Sequence, residues 1–317
     1  MYIVDSLIGK LVIAISSRAL FNLDESNEIF DTKGEKAYTD FQINHEDEVL
    51  AKGVAYPLIE KLLKLKDPKS EESLVEIVLI SKNDPNTGLR VFNSIEKYNL
   101  NITRAAFTRG RTPYKYLKAF KADLFLSANA DDVKIALKNG FASATIFPGV
   151  YTPEDEDSDE IRIAFDGDAV IFSDEAERIN AEQGLAAFTQ SEAAKSDIPL
   201  QAGPFAAFLA TLNQLQKRYD GQSRQPIRTA LVTARNAPAH KRPIKTLRAW
   251  GFGVDEAFFL GGLDKTPILK SFNPHIFFDD QQTYCFNASQ AVPTGHVPNG
   301  VKNANSIVSL TASGNEV

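Results

Sequence analysis

A weak internal repeat constrains the fold of this 317-residue sequence more than any other feature. Residues 14–65 align with residues 164–215 at an offset of 150, and residues 79–125 align with residues 231–277 at an offset of 152. Identities are sparse, but their order holds across both stretches. Self-similarity of this kind predicts two copies of one structural unit. We therefore expect an internally duplicated fold, and two halves that merely share a fold bias are the alternative.

Each half is predicted to alternate strands with helices. In the second half, polar residues bound three short β-rich runs, "IRIAF" (161–165), "TALVT" (229–233) and "HIFF" (275–278). Apolar residues recur at helical spacing over residues 241–251, and residues 266–272 predict a short helix. Strands separated by helices predict an α/β fold with Rossmann-like parallel sheets, covered by helices on both faces.

Polar side chains follow these predicted strands at the points where the strands end. Asp166 and Asp168 come directly after the first strand, Thr233 ends the second, and Asp279 and Asp280 follow the third. Ligands of parallel sheets bind beyond the carboxyl ends of the strands. The alternatives to a site are a solvated turn for the first pair and helix capping for the last pair. The convergence of five such residues favours a site.

Composition limits the classes of partner and compartment. A net charge of −6 argues against a nucleic-acid partner, and 43% hydrophobic residues suit a soluble protein with a substantial core. Cys285 is the single cysteine, which excludes an internal disulfide, fits a reducing compartment and indicates a small buried apolar residue. The N-terminus lacks the features of an export signal, and no apolar run approaches the roughly 20 residues of a membrane helix. We expect a cytoplasmic protein with no membrane contact.

Zinc is not predicted, because His240, His275 and His296 show no metal-ligand spacing with a cysteine or with one another.

An acidic stretch divides the chain. Six of the ten residues at 151–160, "YTPEDEDSDE", are acidic, and like charges at this density repel one another and stay solvated. We interpret this stretch as a linker between a first half at residues 1–150 and a second half at residues 161–300. Residues 301–317 are mostly small and polar and predict a loose tail.

The motifs of the second half resemble those of the haloacid dehalogenase (HAD) superfamily of phosphatases. The matching elements, in order, are "DGDAV" (166–170), Thr233 in "LVTAR", Lys265 in "GGLDKTPIL" and Asp279-Asp280 in "FFDDQ". The flanking text, "RIAFDGDAVIFSDEAERI", "LVTARNAPA" and "PHIFFDDQ", is similar to the cytosolic 5′-nucleotidase I family over about residues 11–300. One DxD motif is a weak signal, whereas four elements in order with matching flanks are a strong one. The resemblance implies a HAD-type fold in the second half.

The resemblance also implies an activity, namely Mg²⁺-dependent hydrolysis of nucleoside 5′-monophosphates, with AMP or deoxynucleoside monophosphates favoured. Asp166 would attack phosphorus and form an aspartyl-phosphate, and Asp168 would act as general acid and base. Thr233 and Lys265 would bind the phosphoryl oxygens, with Lys270 as the alternative lysine. Positioning and charge stabilisation are most of what phosphoryl transfer requires of a protein.

The implied magnesium ligands are Asp166, Asp168, Asp279 and Asp280, because Mg²⁺ prefers carboxylate oxygens. Arg235 would contact the substrate phosphate or remain solvated. Two alternative functions stay open at this point: a HAD phosphatase for another small phosphoester such as a sugar phosphate, and a nucleotide-sensing regulatory protein. Assembly into a homo-oligomer is also left open.

HAD enzymes often carry a cap between the DxD motif and the second strand, which here implies a small helical cap within about residues 173–226. Residues 203–219, "GPFAAFLATLNQLQKRY", predict an amphipathic helix in this interval. Its apolar stripe favours packing over contact with a nucleotide base.

The first half keeps the repeat but lacks the charged groups. Its counterparts of Asp166, Asp168, Lys265 and Asp279-Asp280 are Ser16, Arg18, Pro113 and Ser127-Ala128, and Ser81 alone keeps the type of Thr233. The first half is therefore predicted to share the fold and to be non-catalytic. It would serve packing or assembly, or Arg18, Arg109 and Arg111 would hold a phosphate without cleaving it.

Overall fold

The computed structural model describes residues 7–149 and 159–304. The predicted linker at 151–160 lies outside these ranges except for its last two residues, and the predicted tail lies outside them beyond residue 304. Within the described ranges, strands and helices alternate along both halves, as predicted.

The first half contributes strands β1 (Leu11–Ile15), β2 (Val75–Ser81), β3 (Arg104–Phe107), β4 (Leu124–Ser127) and β5 (Ser143–Ile146). Its helices are α1 (Ser17–Leu20), α2 (Asp24–Asn44), α3 (Tyr56–Leu63), α4 (Leu89–Lys97), α5 (Tyr114–Leu117) and α6 (Ala130–Lys138).

The second half contributes strands β6 (Ile161–Phe165), β7 (Ile227–Thr233), β8 (Glu256–Phe259), β9 (Ile276–Asp279) and β10 (Thr294–His296). Its helices are α7 (Glu175–Ala194), α8 (Ala206–Arg218), α9 (Lys241–Trp250), α10 (Thr266–Phe272), α11 (Gln282–Ser289) and α12 (Val301–Ala304). A wide π-helical turn, Gly167–Ile171, follows β6 directly.

All ten described strands form one sheet, in the order β3-β2-β1-β4-β5-β10-β9-β6-β7-β8. Neighbours pair in parallel except at the centre, where β5 and β10 pair antiparallel. The prediction of an α/β fold with parallel strands is confirmed, and the central pairing joins the strands of both halves into one sheet. Read outward from the junction, the two halves have the same strand order, with β1 to β5 corresponding to β6 to β10.

The strands form because their residues are apolar on both faces. Alternate residues of β1 point to opposite faces: Leu11, Ile13 and Ile15 belong to a large core on one side, and Val12 and Ala14 to a smaller core on the other. Burial on both faces is the usual condition of a parallel sheet. The large core runs through both halves, since it contains α3 and α8 side chains together.

Corresponding backbone features recur at the predicted offsets. The amide of Ser16 donates to the Leu126 carbonyl at 2.9 Å, and the amide of Asp166 donates to the Phe278 carbonyl at 2.7 Å. The long helices α2 and α7 are both interrupted by a glycine with φ of +83°, at Gly34 and Gly184. Residues with a side chain rarely adopt this backbone conformation, so both interruptions require glycine.

The segment between β6 and β7 consists of two helices with different surroundings. The apolar stripe of α8, with Phe208, Leu209 and Leu212, is buried in the large core, as the sequence pattern indicated. Helix α7 is mostly exposed and touches the π-helical turn, α9 and α12. None of the helices in the described ranges combines the length and the apolar character needed to cross a membrane.

Candidate active site

The strand ends of the second half bring four of the predicted residues together. Asp166 follows β6, and its backbone amide is hydrogen-bonded to the residue before Asp279 on the adjacent strand β9. Asp279 ends β9, and Asp280 follows it. Lys265 reaches them from the start of α10. All four side chains are buried.

Lys265 sits between two of the carboxylates. Its Nζ atom lies 2.6 Å from Asp166 Oδ1 and 2.6 Å from Asp279 Oδ2. The side chain is 3% exposed, whereas Lys270 is an exposed residue of the last turn of α10. The structure thus places Lys265, and not Lys270, in contact with the aspartates.

Three of the aspartates are arranged as metal ligands. One carboxylate oxygen each of Asp166, Asp279 and Asp280 lies within 4.8 Å of the other two. Both side-chain oxygens of Asp280 are buried and accept no hydrogen bond within the described residues. A buried carboxylate without a partner is costly, and an oxygen-seeking divalent cation satisfies it. The donor set therefore fits Mg²⁺.

The crowding of carboxylates perturbs their ionisation. Burial, with repulsion from Asp279 and Asp168, raises the pKa of Asp166 to about 7 despite the neighbouring ammonium of Lys265. Burial, with repulsion from Asp166, Asp279 and Glu177, raises the pKa of Asp280 well above its ordinary range. Burial alone would favour a neutral amine at Lys265, but Asp166 and Asp279 outweigh it and raise the lysine's pKa. One ammonium does not balance three carboxylates, so the centre favours a further cation.

Asp168 lies apart from this centre and is bound by Arg235. Its two oxygens accept hydrogen bonds from Arg235 Nε at 2.7 Å and Arg235 Nη2 at 2.6 Å, a bidentate ion pair. The third nitrogen of Arg235 donates to Glu192 and to the Ala239 carbonyl. Each of the three nitrogens of this buried guanidinium therefore donates at least one hydrogen bond within the protein.

Arg235 belongs to a buried chain of alternating charges. Glu192 also accepts from Arg242 at 2.7 Å, and Arg242 forms an ion pair with Glu175 at 2.5 Å. Glu192 and Glu175 lie on α7, and Arg242 lies on α9. The network connects the DxD motif to the two ends of α7. Replacing one member of such a buried set leaves its partners uncompensated.

Thr233 occupies the predicted position at the end of β7. The side chain is 2% exposed, and its hydroxyl accepts a hydrogen bond from the Arg235 amide at 3.3 Å. The interpretation of Cys285 as a small buried residue is confirmed, because it is fully buried and its Sγ lies 3.3 Å from the Asp279 carbonyl.

Sequence reasoning missed a carboxylate beside the site. Glu177, on the first turn of α7, accepts from Gln281 Nε2 at 3.2 Å, and its other oxygen is buried without a partner. Burial, with repulsion from Asp168 and Asp166, raises its pKa to about 7. The available signal was its place in "SDEAERI", nine residues after Asp168 of the DxD motif.

The loop after β10 was also missed. His296 and Asn303 both hydrogen-bond the Asp280 carbonyl, at 2.9 Å each, and Asn299 donates to the Ala169 carbonyl at 2.8 Å. These contacts fix the backbone of both aspartate motifs. They join residues 16, 23 and 130 positions apart, so no local pattern predicts them.

The first-half counterparts occupy equivalent places without the charges. Ser16 follows β1 and accepts from the Ala128 amide at 3.3 Å, Ser127 ends β4, and the Ser81 hydroxyl at the end of β2 lies 3.0 Å from that of Ser17. Within residues 7–149 the structure contains no carboxylate cluster like that of the second half. Hydroxyl-to-backbone hydrogen bonds thus replace the ionic centre.

A single mostly parallel sheet with a buried carboxylate–lysine centre at its strand ends defines an α/β protein with a preformed polar site. The family model described as 5'-nucleotidase matches residues 4–304, so the chain belongs to the 5′-nucleotidase family, which confirms the resemblance of its motifs. Human "Cytosolic 5'-nucleotidase 1B" is 40% identical over 291 residues, which cover 89% of this chain and 48% of the human protein. The chain thus spans about half the length of this curated relative. No solved structure matches the chain.

Proposed function

We propose that the chain is a Mg²⁺-dependent phosphoric monoester hydrolase that removes the phosphate of nucleoside 5′-monophosphates, with AMP or deoxynucleoside monophosphates as its substrates. The observation that carries the proposal is the buried centre of Asp166, Lys265, Asp279 and Asp280, in which Asp280 has two unpartnered oxygens. Membership of the 5′-nucleotidase family supports the substrate class. The name of the human relative supports a cytosolic location.

Asp166, Asp279 and Asp280 would hold the magnesium ion. A bound Mg²⁺ supplies positive charge between the attacking carboxylate and the negatively charged phosphate. Lys265 forms ion pairs with Asp166 and Asp279. Its ammonium would also add positive charge where the phosphoryl oxygens would lie. Thr233 contributes a hydroxyl at the end of the neighbouring strand. Asp168 is proposed as a ligand through its backbone only, because Arg235 occupies both of its side-chain oxygens.

The proposed reaction has two steps. Asp166 Oδ forms a bond to phosphorus while the bond from phosphorus to the ribose O5′ breaks. Asp168 would enter this step as the carboxylic acid, with one oxygen released from Arg235, and would give its proton to O5′. A water molecule then attacks phosphorus and gives its proton to Asp168, and Asp166 leaves as a carboxylate. Covalent catalysis of this type divides one difficult displacement into two easier ones.

We assign Arg235 a positioning role in place of direct phosphate contact. Its donors are taken by Asp168, Glu192 and the Ala239 carbonyl, and the residue is 4% exposed. The bidentate pair fixes the rotamer of Asp168 two residues after the nucleophile. During the reaction, one oxygen of Asp168 must lose its hydrogen bond from Arg235 so that it can carry the proton that Asp168 exchanges with O5′.

The repeated strand order supports a HAD-type second half and a first half derived by duplication. We propose residues 161–300 as the catalytic half and residues 1–150 as a non-catalytic half, joined at 151–160. Helix α7 is the proposed cap, since it lies against the π-helical turn that carries Asp168 and contributes Glu177 beside the site.

Phosphate release from a panel of nucleoside 5′-monophosphates and sugar phosphates, with Mg²⁺ or with EDTA, tests the proposal. We expect Mg²⁺-dependent release from the nucleotides, none in EDTA, and none from Asp166→Asn. The matched control is Asp220→Asn, which changes an exposed aspartate in a loop and should keep full activity. Faster release from sugar phosphates would favour the other phosphoester, and nucleotide binding without release would favour a sensor.

A further inference from the structure

The first half contains a cavity at the place that corresponds to the catalytic centre. It has a volume of about 550 Å³ and is lined by residues that follow β1, β2 and β3, among them Arg18, Lys82, Asn83 and Arg109. Helix α2, the counterpart of α7, forms another wall. Ligand-binding clefts of proteins have volumes in this range.

This place lacks the excess of negative charge found in the catalytic half. The acidic residues Asp166, Asp168, Glu177, Asp279 and Asp280 correspond to Ser16, Arg18, Asn27, Ser127 and Ala128. Lys82 and Arg109 stand where the second half has Ala234 and Gly261. Five carboxylates of the catalytic half are thus absent and three cations are added, while Asn83 and Pro113 replace Arg235 and Lys265. Asp31, Glu35 and Asp84 also line the cavity, so its lining holds three cations and three carboxylates. A phosphate can bind such a surface directly, without the metal ion that an acidic centre requires.

The added cations keep part of their side chains exposed. Arg18 contacts Asp24 at 3.3 Å and Asn27 at 3.0 Å, both near the surface, where such pairs contribute little. Lys82 pairs with Asp132 at 2.9 Å and keeps about a third of its side chain exposed. Arg109 is exposed, and its backbone has a φ of +46° in the loop after β3. Their charged groups remain accessible from the cavity.

The wall formed by α2 offers groups suited to a nucleoside. Phe30 is 47% exposed and packs edge-on against Tyr38, with 5.7 Å between the ring centres. The carboxylates of Asp31 and Glu35 also line the cavity and can accept hydrogen bonds from ribose hydroxyls. Beside Tyr38, the amide nitrogen of Asn83 is buried and makes no hydrogen bond of good geometry within the described residues. A donor in this position can serve a ligand.

We propose that this cavity binds a nucleoside phosphate without a metal ion and without cleaving it. Arg18, Lys82 and Arg109 contact the phosphate, the ring of Phe30 contacts the base, and Asp31 and Glu35 contact the ribose. Cleavage does not follow, because a serine replaces the nucleophilic aspartate. The site is distinct from the catalytic centre of the proposed function and does not depend on it.

The test is AMP binding in EDTA, measured by titration calorimetry on the full chain carrying Asp166→Asn, so that no hydrolysis interferes. Into this background we introduce Arg18→Gln with Arg109→Gln, or the charge reversal Arg109→Glu alone. The matched control is Arg111→Gln, an exposed arginine of the same loop that does not line the cavity. Circular dichroism verifies the fold of each variant.

We expect AMP to bind in EDTA, and inorganic phosphate to compete with it. The double variant and Arg109→Glu should weaken binding by about tenfold or more, as expected for lost charge-assisted hydrogen bonds, and Arg111→Gln should leave it within about twofold. Absence of AMP binding in EDTA overturns the proposal, and so does equal binding in the double variant and in the Arg111→Gln control. Because hydrolysis is not measured, either result leaves the proposed function untouched.

Discussion

At the scale of single residues, the site holds three buried carboxylates whose negative charge one lysine does not balance. Asp166 and Asp279 share the ammonium of Lys265, and the side chain of Asp280 accepts no hydrogen bond from residues 7–149 or 159–304. Ionising all three carboxylates without a metal ion would place uncompensated charge in the protein interior. The raised pKa values of Asp166 and Asp280 express this cost.

The first prediction at this scale concerns pH and Mg²⁺. The pKa of Asp166 is raised from 3.8 to about 7, and that of Glu177 from 4.5 to about 7. Between about pH 4.5 and 7 the folded metal-free protein therefore holds protons that the unfolded chain has released, and this contribution to stability falls as pH rises. Mg²⁺ requires the deprotonated carboxylates. We expect Mg²⁺ to raise the Tm more at pH 7.5 than at pH 5.5.

Asp280→Asn provides the control for this experiment. It removes a buried charge and a metal ligand, so the Mg²⁺-dependent rise in Tm should largely disappear at pH 7.5. An equal rise at both pH values, or an undiminished rise in Asp280→Asn, would contradict the assignment of the centre.

The second residue-scale prediction separates the acid from the nucleophile. Asp168→Asn keeps one oxygen for Arg235 but loses the transferable proton, so kcat with AMP should fall by roughly 10²–10⁴-fold. The loss should be much smaller with p-nitrophenyl phosphate, whose leaving group needs little protonation. Steady-state kinetics on both substrates make the comparison. Equal losses on the two substrates would count against the acid role.

The sequence predicted the aspartates of the centre because they follow recognisable strands. Asp166 and Asp279 were found in this way, and the structure brings them to one lysine. The partner of Asp168 was not found, because the sequence shows an arginine two residues after Thr233 but not where its guanidinium points. Its role depends on Glu192, 43 positions away, on a helix whose packing no local pattern specifies.

At the scale of elements, the turn after β6 is held by close backbone approach. Gly203, just before α8, lies against the backbone of Val170 and Phe172, and a Cβ atom at this position would overlap their carbonyl oxygens. Gly53 has the same role against Leu20 in the first half, with a Cβ-to-carbonyl distance of 2.8 Å. The same close backbone contact thus explains the glycine at both corresponding positions. The sequence alone shows only that the two residues are identical.

We therefore expect Gly203→Ala to destabilise the protein by about 1–3 kcal/mol, the usual cost of overpacking, and to lower kcat by displacing the turn that carries Asp168. Gly253→Ala is the control, because no atom lies within 4 Å of its added Cβ and its φ is not positive. Its effect should stay within about 1 kcal/mol. Urea unfolding measures both. Equal stabilities would show that the contact at Gly203 yields without cost.

At the scale of the whole molecule, the two halves share one sheet and one large core. The repeat predicted that the two halves share one alternation of strands and helices, but not that β5 and β10 would pair. The junction could not be foreseen because β10 contains only three residues, Thr294–His296, with no apolar run. Its Gly295 permits close contact with Phe278 on β9 and Ala144 on β5.

A shared core predicts that the halves unfold together. Trp250, the single tryptophan, packs against Phe172 and reports on the second half. A variant with Trp250→Phe and Phe92→Trp moves the reporter to the first half, where Phe92 packs against Phe107. For each of the two proteins, the urea transition followed by tryptophan fluorescence should coincide with the transition followed by circular dichroism. Separate midpoints for the two halves would contradict a continuous core.

The central claim is that Asp166 carries the phosphoryl group, and chemical trapping tests it most directly. The enzyme is mixed with AMP and Mg²⁺ and quenched in acid during turnover, and borohydride then reduces an acyl phosphate to the alcohol. The account predicts homoserine at position 166 by peptide mass spectrometry, its absence in EDTA, and no such product at Asp168 or Asp279. Steady turnover without modification at position 166, or turnover that survives in Asp166→Asn, would contradict it.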